Sequence, residues 1–126
     1  MIKGLHHSAY RCRDSEETRK FYEDFLGLKL VGSLAIKDSP AAAKADVLHT
    51  FFQMDDGSCL AFFEAPAMPF EFKRQLDFDL HIALEVDAAT LQAMFVSSSA
   101  PLALSVVMTG ALTSSARAFK SSAASA

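Results

Sequence analysis

The sequence has no tryptophan, two cysteines, four prolines and five glycines, and no aspartate or glutamate after Asp87. Each shortage excludes something. Two cysteines cannot build the disulfide framework of a small secreted domain, so Cys12 and Cys59 read as buried thiols of a reduced, cytoplasmic protein rather than as a bridge. Basic residues number 12 against 15 acidic ones, too few for a stripe that neutralises phosphates, and no nucleic-acid partner is expected. The longest apolar stretch, around Pro101 to Leu112, falls short of the roughly 20 residues of a membrane span. Lys3, His6, His7 and Arg11 interrupt any hydrophobic run at the N-terminus, so no signal segment and no membrane partner are expected.

What is present suits a globular fold. The 126 residues are 51% hydrophobic with 11 Phe, enough core material for one domain or two fused half-size modules. The net charge of -3 conceals a split. Residues 1–93 hold all 15 acids and ten basic residues, whereas residues 94–126 hold Arg117 and Lys120, no acid, nine Ser and eight Ala.

Along the chain, residues 4–12 read as a strand. Asp14 then resembles a helix N-cap, with Glu17 completing a capping box. Phe21, Tyr22, Phe25 and Leu26 recur at helical spacing, and Gly27 is placed to end the helix in a left-handed cap. Leu28 to Ile36 reads as a strand interrupted by Gly32, and residues 37–46 as a loop. Strands Val47–Met54 and Cys59–Ala65 flank Asp55-Asp56-Gly57-Ser58, a strong hairpin signal. Residues 1–65 thus form a first module, and 66–78, with Pro66 and Pro69, a connecting arm. A second module, 79–126, restarts the pattern: Asp79–Val86 reads as a strand and Asp87 as the cap of a helix through Leu91, Met94 and Phe95. His7 and His81 fall at matching points, 74 residues apart.

Strand alternation groups Leu5, His7, Ala9 and Arg11 on one face and His6, Ser8, Tyr10 and Cys12 on the other. Leu60, Phe62 and Glu64 share a face, as do His81, Ala83 and Glu85. Glu64 is the odd member, because a carboxylate on an apolar face is costly unless paired or bound to a metal. His7, Glu64 and His81 are a donor set suited to a divalent ion such as zinc, iron, nickel or manganese. The plain alternative is a strand-end Glu in solvent and two histidines bonded to backbone.

Gly4-Leu5-His6-His7-Ser8-Ala9-Tyr10, Asp14, and Phe21-Tyr22-Glu23-Asp24-Phe25-Leu26-Gly27-Leu28 resemble the opening module of the vicinal oxygen chelate superfamily. That group includes glyoxalase I, bleomycin- and fosfomycin-resistance proteins and extradiol dioxygenases. Asp79-Leu80-His81-Ile82-Ala83-Leu84-Glu85-Val86 resembles the first strand of its second module. The resemblance implies an α+β fold of paired βαβββ modules whose curved sheets enclose a metal. It implies His7, Glu64 and His81 as ligands, with His6 as the alternative to His7, and Arg11 as an anion-binding residue for the substrate. A surface salt bridge is the plain reading of Arg11. His49 has no counterpart and reads as structural. A carboxylate at the end of module one favours glyoxalase I-like lyase or isomerase chemistry, with Glu64 moving the proton. The alternatives are a ring-cleaving dioxygenase and a resistance-type protein that sequesters its ligand. A small-molecule substrate and a homodimer are expected.

The tail departs from this pattern. A family stretch of the kind F-x-D-P-x-G-x-x-x-E, which supplies a fourth ligand, has no equivalent here, leaving at most three protein ligands and an incomplete second module. Acids, motif and alternation vanish together near Ala93–Phe95, which points to a shift of reading frame; a natural Ser/Ala-rich terminus is the alternative. Translating the DNA in the other two frames decides between them. A strand-rich segment with a D-P-x-G-like turn and a Glu is expected, and its absence from both frames overturns the shift.

Overall fold

The computed structural model describes residues 1–71, 82–97 and 105–108. The chain divides into two compact units, Met1–Lys73 and Arg74–Ala126.

Unit 1 is a four-stranded mixed sheet with one helix. The strands are β1 (His7–Arg11), β2 (Lys29–Ser39), β3 (Ala45–Gln53) and β4 (Cys59–Glu64), in the spatial order β1-β4-β3-β2. β2, β3 and β4 form an antiparallel meander, and β1 returns to lie parallel to β4 with His7 beside Cys59 and Arg11 beside Phe63. The expected hairpin joins β3 to β4. Gly57 adopts φ 85° at its tip, and Asp56 Oδ1 accepts hydrogen bonds from Ser58 N at 2.9 Å and Ser58 Oγ at 2.6 Å.

β2 runs three residues beyond the expected end at Ile36, and Pro40–Ala42 forms a short 3-10 turn inside the expected loop. The register slips between Leu30 and Gly32, at the expected interruption, and again between Ile36 and Ser39, a bulge that alternation does not announce.

Helix α1 (Ser15–Arg19) continues as a π-helical stretch, Lys20–Phe25, in which Leu26 N donates to Phe21 O at 3.0 Å. Asp14 caps it as expected: Oδ1 accepts from Glu17 N at 2.7 Å. The other half of the capping box is missing, because the Glu17 carboxylate accepts from Arg13 instead. Gly27, at φ 79°, ends the helix in the left-handed region that only glycine enters without strain. On the outer face Arg19 donates to Glu16, Glu23 and Asp24, and its guanidinium holds the Glu16 and Asp24 carboxyls below their ordinary range.

The two faces of the sheet are now distinct. Tyr10, Leu60, Phe62 and Phe52 face the helix, where Tyr22 lies 4.6 Å from Phe62 and 5.6 Å from Phe52 between ring centres. Phe52 is fully buried, and burial pushes the Tyr22 phenol up. His7, Ala9 and Arg11 lie on the opposite face with Cys59, Ala61 and Phe63 of β4 and His49 and Phe51 of β3. One end of that second face is closed by Ala42, Val47, Ala65, Ile36 and Met68.

Unit 2 has strand β5 (Ala83–Val86), helix α2 (Ala88–Ser97) and strand β6 (Ser105–Met108), with β5 and β6 parallel. Asp87 caps α2 as expected, its Oδ1 accepting from Thr90 N at 2.7 Å. The two units together make an α+β protein. Among the described residues no helix is long and apolar enough to cross a membrane.

Candidate functional site

His7 opens β1, and its side chain meets an aromatic shelf. Its ring centre lies 5.3 Å from Phe51 and 5.8 Å from His49, and His49 stacks on Phe63 at 3.7 Å with the planes only 9° apart. His49 reaches this position because β3 alternates Val47, His49 and Phe51 onto the His7 face, with β4 between β3 and β1. It is buried, and its Nδ1 lies 3.1 Å from Phe62 O. The expectation that His49 bonds structurally holds for that nitrogen. Nothing in the sequence showed that the ring would stand beside His7, since that depends on the register of three strands.

His6, the alternative to His7, is exposed, and its Nδ1 lies 2.7 Å from His7 Nδ1. The two neighbours therefore share a proton: one nitrogen donates and the other accepts. His7 is half-buried and on the shelf.

Glu64 stands apart from His7. It ends β4, five residues beyond the Cys59 that pairs with His7, and it points to the helix face. Its Oε2 accepts a hydrogen bond from Ser15 N at 2.8 Å, in the first turn of α1. Five residues of strand, about 16 Å, separate Glu64 from the Cys59 beside His7. A backbone N–H thus partners the Glu64 carboxylate. The β4 residues on the His7 face are Cys59, Ala61 and Phe63, none of them a carboxylate.

Arg11 shares the face of His7 but turns toward the segment after β4. Its Nη1 donates to Pro69 O at 3.4 Å, and the guanidinium lies 5.5 Å from the centre of the Phe70 ring. Among the described residues its contacts are thus a carbonyl and a ring. His81 lies outside the described residues. Cys12 and Cys59 are free and buried, as their reading as reduced thiols requires, and burial pushes the Cys12 thiol up, away from the reactive thiolate.

Among the described residues no three His, Cys, Asp or Glu side chains are grouped to hold a metal. A divalent ion at this face would find imidazole nitrogens and aromatic walls, so the donors present fit a borderline transition ion better than a hard one.

Comparison with known proteins bears on the fold. The model of the Glyoxalase/Bleomycin resistance protein/Dioxygenase superfamily matches residues 4–96, well over half of the chain, and its match stops where the acid-free tail begins. No curated protein matches the sequence. Among solved structures, the genomically encoded fosfomycin resistance protein FosX of Listeria monocytogenes shows 17% identity and a TM-score of 0.50, covering 76% of this chain and 67% of that one. A point mutant of FosX solved with Mn(II) and 1S,2S-dihydroxypropylphosphonic acid gives the same figures. A glyoxalase/dioxygenase from Nostoc punctiforme shows 23% identity and a TM-score of 0.47, over 75% of this chain and 66% of that one. The chain spans about two thirds of the length of these structures.

Proposed function

The chain belongs to the glyoxalase/bleomycin resistance protein/dioxygenase superfamily, and from that membership we propose that it binds a small molecule at the His7 face through a divalent metal ion. The observation that carries this reading is the placement of His7 on a half-buried aromatic shelf, away from the helix-packed core. His7 and His81 are the proposed ligands, with the ion being zinc, nickel, iron or manganese. When bound, such an ion supplies Lewis-acid polarisation of substrate oxygens. Phe51, Phe63 and His49 exclude water from one side of the substrate, and Arg11, which has donors beyond the one given to Pro69, takes an acidic group.

Lyase or isomerase chemistry of the glyoxalase I kind is the leading enzymatic form, in a cytoplasmic homodimer. The position of Glu64 supports a second form. With no carboxylate on the described His7 face, a ligand-sequestering protein of the resistance type needs fewer groups than a proton-transferring enzyme or a ring-cleaving dioxygenase.

Elemental analysis of the purified chain tests the shared premise. About one divalent ion per chain is expected, with loss of the ion in His7→Ala. A metal-free wild type that still binds no added ion overturns the proposal. Turnover of a thiohemiacetal supports the lyase, oxygen uptake on a catechol the dioxygenase, and saturable ligand binding without turnover the sequestering form.

A further inference from the structure

His49 belongs neither to the ligand set implied by resemblance nor to the metal pair proposed above, yet it is the buried imidazole beside His7. Its Nδ1 faces the Phe62 carbonyl at 3.1 Å, and a carbonyl oxygen only accepts. Nδ1 of His49 therefore carries a proton, and in the neutral ring Nε2 keeps the lone pair. His7 is in a similar condition. Its Nδ1 lies 2.7 Å from His6 Nδ1, and when His7 is the donor its Nε2 is likewise the bare nitrogen. Metal-bound histidines are held in this way, with the second ring nitrogen donating to a carbonyl or another acceptor that fixes tautomer and orientation.

The ring spacing agrees. With metal–nitrogen bonds of about 2.1 Å and about 1.2 Å from nitrogen to ring centre, two imidazoles on one tetrahedral ion stand roughly 5.4 Å apart. The centres of His7 and His49 are 5.8 Å apart, with planes inclined at 62°.

We propose that His7 and His49 share one divalent transition-metal ion through their Nε2 atoms, with His6 and the Phe62 carbonyl as the outer partners that set both tautomers. The inference rests on the metal-binding reading and deepens it: strand β3 supplies a nitrogen where Glu64 supplies no oxygen. Two neutral imidazoles select zinc, nickel or cobalt over magnesium and calcium, which take oxygen donors.

The test is a titration of the full chain with Zn(II) and Co(II). It is followed by nitrogen NMR of the histidine rings, by Co(II) visible absorption, and by affinity in His7→Ala, His49→Phe and His81→Ala. The His49 Nε2 resonance is expected to move with saturation while its Nδ1 keeps its proton. His49→Phe retains a ring against Phe63 and is expected to weaken Zn(II) binding by more than the roughly 10–100-fold that follows loss of an outer partner. Because the resonance is read on the unaltered protein, it decides the matter even where a variant fails to fold. A His49 resonance that stays fixed while the ion binds and is lost in His7→Ala overturns the inference and leaves the metal-binding reading in place. Failure of the wild type to bind either ion overturns both.

Discussion

Phe52→Ala is expected to lower the stability of unit 1 by about 3–5 kcal/mol, the usual cost of deleting a large buried aromatic side chain. Phe52 has no exposed surface and sits near the end of β3, between Leu30 of β2 and Leu60 of β4. Its ring fills the space between the sheet and the helix, with Tyr22 at 5.6 Å and Phe62 at 5.9 Å. Aromatic neighbours held by a π-helical turn and two central strands cannot collapse into the void without moving backbone. Domains of this size are stable by only about 5–15 kcal/mol, so the change consumes much of the margin. Urea unfolding followed by circular dichroism measures it. A loss under about 1 kcal/mol would show that helix and sheet do not pack through this ring.

Glu64→Ala is the second large effect, and its value lies in what it leaves alone. The substitution removes the acceptor of Ser15 N–H and a negative charge from the positive end of α1. Charge-assisted bonds of this kind contribute about 1.5–3 kcal/mol, and the loss is expected to fall in that range. Glu64→Gln keeps an oxygen in place and is expected to recover about half of it. Both variants are expected to bind as much metal as the parent, because Glu64 and His7 lie on opposite faces. Loss of the ion in Glu64→Gln at unchanged thermal midpoint would return the carboxylate to the ligand set.

These two residues mark the boundary of what the sequence conveyed. Period-two alternation correctly grouped Leu60, Phe62 and Glu64, and it placed Phe52 in a strand beside a glycine-tipped hairpin. The N-cap at Asp14, the left-handed Gly27 and the cap at Asp87 were legible because each is a local requirement of backbone geometry. Alternation does not say which face the helix covers, and it does not fix how far one strand slides past the next. Alternation therefore does not announce that the Glu64 carboxylate meets the first N–H of α1. The same blindness hid His49, whose meeting with His7 spans three strands and 42 residues of chain.

The parallel seam between β1 and β4 has a kinetic consequence. β2, β3 and β4 are joined by short connections and can pair as soon as each is in place, whereas His7 meets Cys59 only by closing a loop of 52 residues. Loop-closure entropy makes such a non-local pairing slow relative to the meander. The strand that opens at His7 is therefore expected to join last during folding. An ion that binds only after His7 has docked acts on the final step and holds it shut, so metal should slow the release of the N-terminal strand more than it hastens assembly of the sheet.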